Sequence, residues 1–317
     1  MAHDAAAEAS PEMLARVRAE LARVILGKEA VLDRLLVALL ADAHVLLEDV
    51  PGVGKTTLAK ALAKTFAGEF KRLQFTPDLL PTDVLGSSIY DPRDGSFTFK
   101  PGPVFAHVLL ADEINRASPR TQSSLLEAMS ERQASIEGVT RALPRPFLVL
   151  ATQNPIELQG TYPLPEAQLD RFGLRVELGY PAREHAVEML YAQMERHPLE
   201  DVRPVLDERA LLALQTAVRG VRVERRVGAY VVDLVEATRV HPTIKMGASP
   251  RAALSLFRAA QARAYLDGRA YVLPEDVKDV AVEVLAHRLV LDPKARYGGV
   301  RKEDLVRELL GSVAVPV

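Results

Sequence analysis

The stretch LLEDVPGVGKTTLAKALAKTF, residues 46–66, decides how the rest of the chain reads. An apolar run ends in Glu48 and Asp49, a loop with Gly52 and Gly54 follows, and Lys55-Thr56 opens an Ala/Leu/Lys-rich helical pattern. Strand, glycine loop and helix in that order form the context of a phosphate loop. There, backbone N–H groups at a helix N-terminus face the anion, and the helix dipole adds to the attraction. The expected phosphate contacts are Gly52, Val53, Gly54, Lys55, Thr56 and Thr57. The Lys55 ammonium would meet the β- and γ-phosphates, and the Thr56 hydroxyl would meet Mg²⁺. One position departs from the pattern G-x-x-x-x-G-K-[ST]: Asp49 stands where its first glycine belongs. A helix-starting turn with an incidental lysine is the competing reading, so the decision rests on residues further along.

Two later strand ends bear on it. HVLLADE, residues 107–113, closes an apolar run with Asp112 and Glu113. A strand-end aspartate is where a Mg²⁺ ligand sits in phosphate-loop enzymes, and the adjacent glutamate can orient or deprotonate the attacking water. FLVLATQNP, residues 147–155, ends a third run in Thr152, Gln153 and Asn154. The Asn154 amide could sense a γ-phosphate; Asn-Pro is equally a turn signal.

The wider pattern fits an α/β layer. Five apolar runs, HVLLED (44–49), KRLQF (71–75), HVLLADE, RPFLVLAT (145–152) and LRVEL (174–178), are separated by helical patterns. Near-continuous apolar strands of this kind predict a parallel sheet covered on both faces. Two interruptions read as β-hairpin insertions, about 87–103 around Asp94-Gly95 and about 133–146 around Glu137-Gly138. After GYPAR (179–183) the patterns become helical. We expect an α/β nucleotide-binding core over 1–183, with an N-terminal helix, and an all-α domain over 184–317.

Composition narrows the alternatives. The 317 residues are 48% apolar, and 40 basic against 42 acidic residues give a net charge of −2. That balance argues against a chain built mainly to coat nucleic acid. There is no cysteine, which excludes disulfides, thiol nucleophiles and thiolate zinc sites. No apolar run is long enough to span a bilayer, and the opening MAHDAAAEASPEML has no apolar signal core, so a soluble cytoplasmic protein is expected.

The combined set resembles the MoxR family of AAA+ ATPases. The resemblance is carried by VILGKEAVLDRLLVALLADAHVLLEDVPGVGKTTLAKALA, LQFTPDLLPTDVLGS, VLLADEINRASPRTQSSLLEAMSERQ, ATQNPIELQGTYPLPEAQLDRF and GASPRA, across roughly residues 20–290. It implies a five-stranded AAA+ core followed by a helical lid. It places Lys55 and Thr56 in Walker A, and Asp112 and Glu113 in Walker B with Glu113 as catalytic base. Asn154 matches sensor 1. Arg171 matches an arginine finger reaching a neighbouring subunit, and Arg251 matches sensor 2, touching the γ-phosphate of its own chain. Val24 to Lys28 match the residues flanking adenine, with core packing the alternative. Arg116 and Arg120 could act across an interface or simply lie on a solvated helix start. Tyr90, Phe97 and Phe99 could grip a client or pack within their hairpin. Arg222, Arg225 and Arg226 read as a solvated face, with a nucleotide or subunit contact second.

The resemblance further implies ATP and Mg²⁺ as ligands and a ring homo-oligomer, a hexamer. It implies chaperone-like remodelling or maturation of a protein client, such as metal or cofactor insertion, the client carrying a von Willebrand factor A-type domain. A nucleic-acid motor and a metal-chelatase motor subunit share the same core and stand as alternatives, as does a nucleotide switch that does not hydrolyse.

Overall fold

The computed structural model describes residues 11–153, 160–194 and 196–316. Before the first strand lie helices α1 (Pro11–Ala22) and α2 (Glu29–Leu40). Strand β1 (Val45–Glu48) leads through the glycine loop into α3 (Lys55–Thr65), followed by β2 (Phe70–Gln74) and a short α4 (Pro81–Leu85). A hairpin of β3 (Gly86–Asp91) and β4 (Ser96–Pro101) precedes β5 (Val108–Asp112) and α5 (Pro119–Glu131). A second hairpin, β6 (Gln133–Ile136) and β7 (Val139–Ala142), precedes β8 (Leu148–Gln153), the short α6 (Glu166–Leu169) and β9 (Leu174–Val176). Five of these strands form one parallel sheet in the order β2-β5-β8-β1-β9.

Successive side chains on a strand face opposite sides, and on the central strands β1, β5 and β8 both sides are dry, whereas β2 at the edge keeps Lys71 and Arg72 exposed. Val45, Leu47, Val108, Leu110, Leu148 and Leu150 join the buried faces of α1, α2 and α3. Leu46, Leu109, Ala111, Val149 and Ala151 join Leu125 and Met129 of α5, together with Ala134 and Ile136 of the second hairpin. That two-sided burial is why the strands read as continuous apolar runs rather than as alternation. The second hairpin turns at Glu137 and Gly138, both at positive φ (53° and 80°), as a tight two-residue turn requires. Its Glu137 carboxylate accepts a hydrogen bond from the Ser88 hydroxyl at 2.5 Å, tying the two hairpins together.

From Arg183 onward the chain is helical: α7 (Arg183–Ala192), α8 (Glu208–Arg219), α9 (Arg225–Val240), α10 (Pro250–Leu266), α11 (Pro274–Leu285), α12 (Pro293–Tyr297) and α13 (Lys302–Ser312). Side-chain caps set several starts. Asp207 accepts from Ala210 N–H at 2.7 Å, and Ser249 accepts from Ala252 N–H at 3.2 Å just before Pro250; each such cap contributes about 1 kcal/mol. The helical periodicity gave no hint of a two-stranded ribbon, β10 (Ile244–Met246) with β11 (Val290–Leu291). These strands are too short to carry a period of two.

The helical part packs against the α2 side of the core. Helix α10 lies on α2, and α11 lies against β9. The buried Gln215 amide donates to Leu39 O at 2.7 Å across this seam. Arg34 of α2 donates to Asp279 and Glu283 of α11 at 2.7 and 3.0 Å, and Arg263 of α10 meets the same Asp279 at 2.8 Å. On the sheet edge, Arg175 of β9 pairs with Glu48 of β1 at 3.1 Å and with Glu303 of α13 at 3.0 Å.

The seam carries a pH signature. The hydrogen bond from Arg34 holds the Asp279 carboxyl below its ordinary value, against the opposing effect of burial. A depressed folded-state value adds stability above the unfolded value, about 3.9, and that gain is lost as pH falls through the folded value. The Asp279→Asn variant should therefore unfold at lower urea concentration than wild type at pH 7. Below about pH 4 the gap should begin to close and shrink further as pH falls; a gap that does not change with pH would contradict the assignment.

Candidate functional site

Because the five strands are parallel, their carboxyl ends share one edge, the place where open α/β sheets bind ligands. A cavity there is lined by Pro51, Gly52, Gly54, Lys55 and Thr56 after β1, by Arg72 and Gln74 of β2, by Asp112 and Glu113 at the end of β5, and by Thr152 of β8. Gly52 and Gly54 have φ of 84° and 95°, which other residues adopt at a cost. A Cβ built on either meets nothing within 4 Å. The loop therefore presents bare backbone to open space. Helix α3 starts from Gly54 without a side-chain cap, so its first-turn N–H groups can serve an anion.

Asp49 explains its own departure from the glycine pattern. Its buried carboxylate accepts from the N–H groups of Leu178 and Gly179, the latter at 3.1 Å. Its carbonyl accepts from Lys55 Nζ at 3.0 Å. A side chain here ties the start of the loop to the chain leaving β9, and the contacts with the cavity are left to Gly52 and Gly54.

The two acids are held by Thr152, Arg72 and Gln74, to which sequence reasoning gave no role, and by Arg116, which it offered for an interface. Glu113 sits in the left-handed region at φ 55°, an uncommon conformation for a side chain of this size and one that recurs at functional sites. The Thr152 hydroxyl bridges the pair: it accepts from Glu113 N–H at 2.8 Å and donates to Asp112 Oδ1 at 2.6 Å. Asp112 Oδ2 accepts from Arg72 Nη2 at 2.6 Å. Glu113 Oε2 accepts from Gln74 Nε2 at 2.8 Å and from Arg116 Nη1 at 3.1 Å. Arg72 and Gln74 stand two apart in KRLQF, hence on one side of the strand. Their register against Asp112 follows only from the β2–β5 pairing, in which Gln74 lies opposite Asp112. As for a metal, a hydroxyl (Thr56) and a carboxylate (Asp112) on one cavity wall fit a hard, oxygen-seeking cation such as Mg²⁺.

A second, more apolar cavity adjoins the loop. Val24, Ile25, Leu26 and Lys28 line it with Val53, Thr57 and Leu178, and Lys28 Nζ donates to Tyr180 O at 2.8 Å. The Val24–Lys28 segment thus stands beside the glycine loop.

Arg171 and Arg251 lie elsewhere. They share a cavity with Asp42, His44 and Gly173, which precede β1 and β9, and with Arg132 and Arg258. These are the amino ends of the strands. Strands of four or five residues hold the two edges of the sheet roughly 15 Å apart. The expectation that Arg251 meets the phosphates of its own chain is corrected. Docking of the helical part against α2 and β9 brings the start of α10 to the far edge of the sheet, beside Arg171. His44 is fully buried at this edge. Its Nδ1 accepts from Val149 N–H at 3.0 Å and its Nε2 donates to Met129 O at 3.2 Å; burial pushes it down to about 4, so it stays neutral.

The remaining candidates sort as follows. Asn154 lies outside the described residues. Phe99 packs on Phe105 with the Arg141 guanidinium 3.9 Å above its ring, whereas Tyr90 and Phe97 pair with each other and stay exposed. Arg120 and Arg225 are exposed, and Arg222 and Arg226 both pair with Glu224.

Thr152→Val keeps the shape of the side chain and removes the bridge between Asp112 and Glu113. Steady-state kinetics should show turnover falling roughly 10–100-fold, as for comparable supporting residues, with nucleotide affinity largely kept. Wild-type turnover would show that the hydroxyl is not needed to place the acids.

Comparison with known proteins agrees with this geometry. Residues 44–174 match the ATPase family associated with various cellular activities (AAA), and residues 236–309 match the AAA lid domain. The chain is 49% identical to the uncharacterized protein YeaC of Bacillus subtilis, over 93% of this chain and 92% of that one. It is 45% identical to Chaperone MoxR1 of Mycobacterium tuberculosis, over 96% of this chain and 82% of that one. A crystal structure from Cytophaga hutchinsonii, provisionally called an ATPase, superposes with a TM-score of 0.92 at 39% identity, covering 100% of this chain and 98% of the other. A cavity at a glycine loop, a five-stranded core with two hairpins and a helical lid, on a chain this similar to MoxR1 along most of its length, make it a member of the MoxR family of AAA+ ATPases.

Proposed function

We propose that this chain hydrolyses ATP at a site completed by a second copy of itself and uses the energy to remodel a client protein. One observation carries the reading: Lys55, Thr56, Asp112 and Glu113 line a cavity at one edge of the sheet, and Arg171 and Arg251 line another at the opposite edge. A single copy cannot join them. Two copies packed head to tail can, and a repeated heterologous contact that closes on itself builds a ring; for this family we take the ring to be a hexamer.

Within the site the roles follow from chemistry. The N–H groups of Gly52 to Thr57 and the Lys55 ammonium bind the triphosphate at the start of α3. Thr56 and Asp112 would hold Mg²⁺, which would neutralise phosphate charge. Glu113 takes a proton from the attacking water. Gln74 and Arg116 hold its carboxylate at Oε2. Asn154 helps to position the water. Arg171 and Arg251 of the neighbouring copy stabilise charge on the transferred phosphoryl group; arginines supplied in this way contribute about 10³–10⁵ in rate.

The client reading draws on similarity to a protein named as a chaperone and on the balanced charge of −2. A partner with a von Willebrand factor A-type domain, and work in the cytoplasm, belong to the same proposal. Among the described residues no helix is long and apolar enough to cross a membrane.

Lys55→Ala should abolish ATP binding, measured by titration with a fluorescent analogue. Glu113→Gln should bind ATP and stall; normal turnover in that variant would remove Glu113 as the base. Loaded with ATP, the stalled variant should retain a protein client in a pull-down. A large, salt-sensitive stimulation of wild-type turnover by DNA would instead favour a nucleic-acid motor.

A further inference from the structure

Between the finger arginine and the lid lies a buried ion pair that the hydrolytic scheme above does not use. Arg288, in the turn after α11, is 4% exposed, and each of its N–H groups has an acceptor. Nε donates to Asp170 Oδ1 at 2.8 Å. Nη1 donates to Gly173 O at 3.2 Å and to Val284 O. Nη2 donates to Phe172 O at 2.7 Å and also approaches Asp170 O and Ser255 Oγ. The adjacent buried His287 donates from Nε2 to the same Phe172 carbonyl at 3.1 Å. Two consecutive lid residues thus grip the backbone on both sides of Arg171.

The other oxygen of Asp170 completes the joint. Asp170 Oδ2 accepts from Ser249 Oγ at 2.8 Å, and Ser249 caps the helix that carries Arg251. One carboxylate therefore links the loop of Arg171, the helix start of Arg251 and the buried guanidinium of Arg288. Burial pushes Arg288 down to about 10, so it remains charged at neutral pH. A buried ion pair is weak evidence for stability, since apolar groups of equal volume often serve as well. What it supplies here is orientation: planar donors in a fixed fork leave the loop one arrangement relative to the lid.

We infer that Asp170 and Arg288 are positioning residues that join the lid and the finger loop into one body, so that Arg171 and Arg251 enter or leave a neighbour's site together. The inference rests on the proposed action of those two arginines across a subunit interface. It assigns the lid a second task. A change of lid position in one copy reaches the next copy's nucleotide through this joint.

The test uses assembled protein carrying Asp170→Asn or Arg288→Lys, alone and co-assembled with Glu113→Gln subunits. Each variant keeps its own phosphate loop and Walker B acids. Alone, each should lose turnover roughly 10–100-fold, the scale of a small misplacement, while KM for ATP stays within about twofold. In mixed assemblies, activity should rise above the sum of the two parents, because a Glu113→Gln neighbour donates an intact arginine pair. Should Asp170→Asn and Arg288→Lys fail to fold, Ser249→Ala carries the same test with a smaller loss. Wild-type turnover in these variants, alongside an Arg171→Ala control that is inactive alone and restored by mixing, would overturn the joint and leave the shared site standing. Lost turnover with a raised KM and no restoration would also overturn it, as general damage. If the Arg171→Ala control is itself not restored despite verified co-assembly, the shared site falls, and the joint with it.

Discussion

In a parallel sheet every strand points the same way, and that constraint organises this molecule. Residues that end strands converge at one edge, and residues that begin them converge at the other. The glycine loop, Asp112, Glu113 and Thr152 belong to the first group; Asp42, His44, Arg171 and Gly173 belong to the second. The lid enters this geometry from the side, through the seam of Arg34 with Asp279 and of Arg175 with Glu303, and delivers Arg251 to the second edge. A chemistry that needs both edges needs two molecules.

The polar groups at each edge are held by partners of their own rather than left to solvent. Thr152 spans the two acids at the end of β5, and Asp49 secures the loop start to the chain beyond β9. At the opposite edge, neutral His44 crosslinks β8 and the end of α5, and Arg288 fastens the chain around Arg171 to the lid. Preorganised groups of this kind lower the cost of placing charge at the moment of reaction. They also make each edge stiff, so that motion is expected of whole bodies rather than of single side chains.

Much of this was legible in the chain itself. The runs of β1, β5 and β8 announced strands because two-sided burial removes polar alternation. Gly95 and the Glu137-Gly138 pair announced the hairpins because positive φ restricts residue choice. Lys55 and Thr56 could be named because they open the helix after a glycine loop, and Asp112 and Glu113 because they close an apolar run. Three things were not legible. Thr152, Gln74 and Arg72 matter through cross-strand register, which no local pattern encodes. Arg251 was placed at the wrong edge because periodicity finds a helix without saying where it docks. The Asp170–Arg288 pair joins residues 118 positions apart, and neither stands out in composition or spacing.

The division of the site between two edges is tested most directly by dilution. ATP turnover per chain would be measured across a range of protein concentrations, with the assembly state followed in parallel by sedimentation. Turnover per chain should fall toward zero as assemblies dissociate, while binding of ATP to the separated chains persists. Turnover that stays constant in verified monomers would contradict the account.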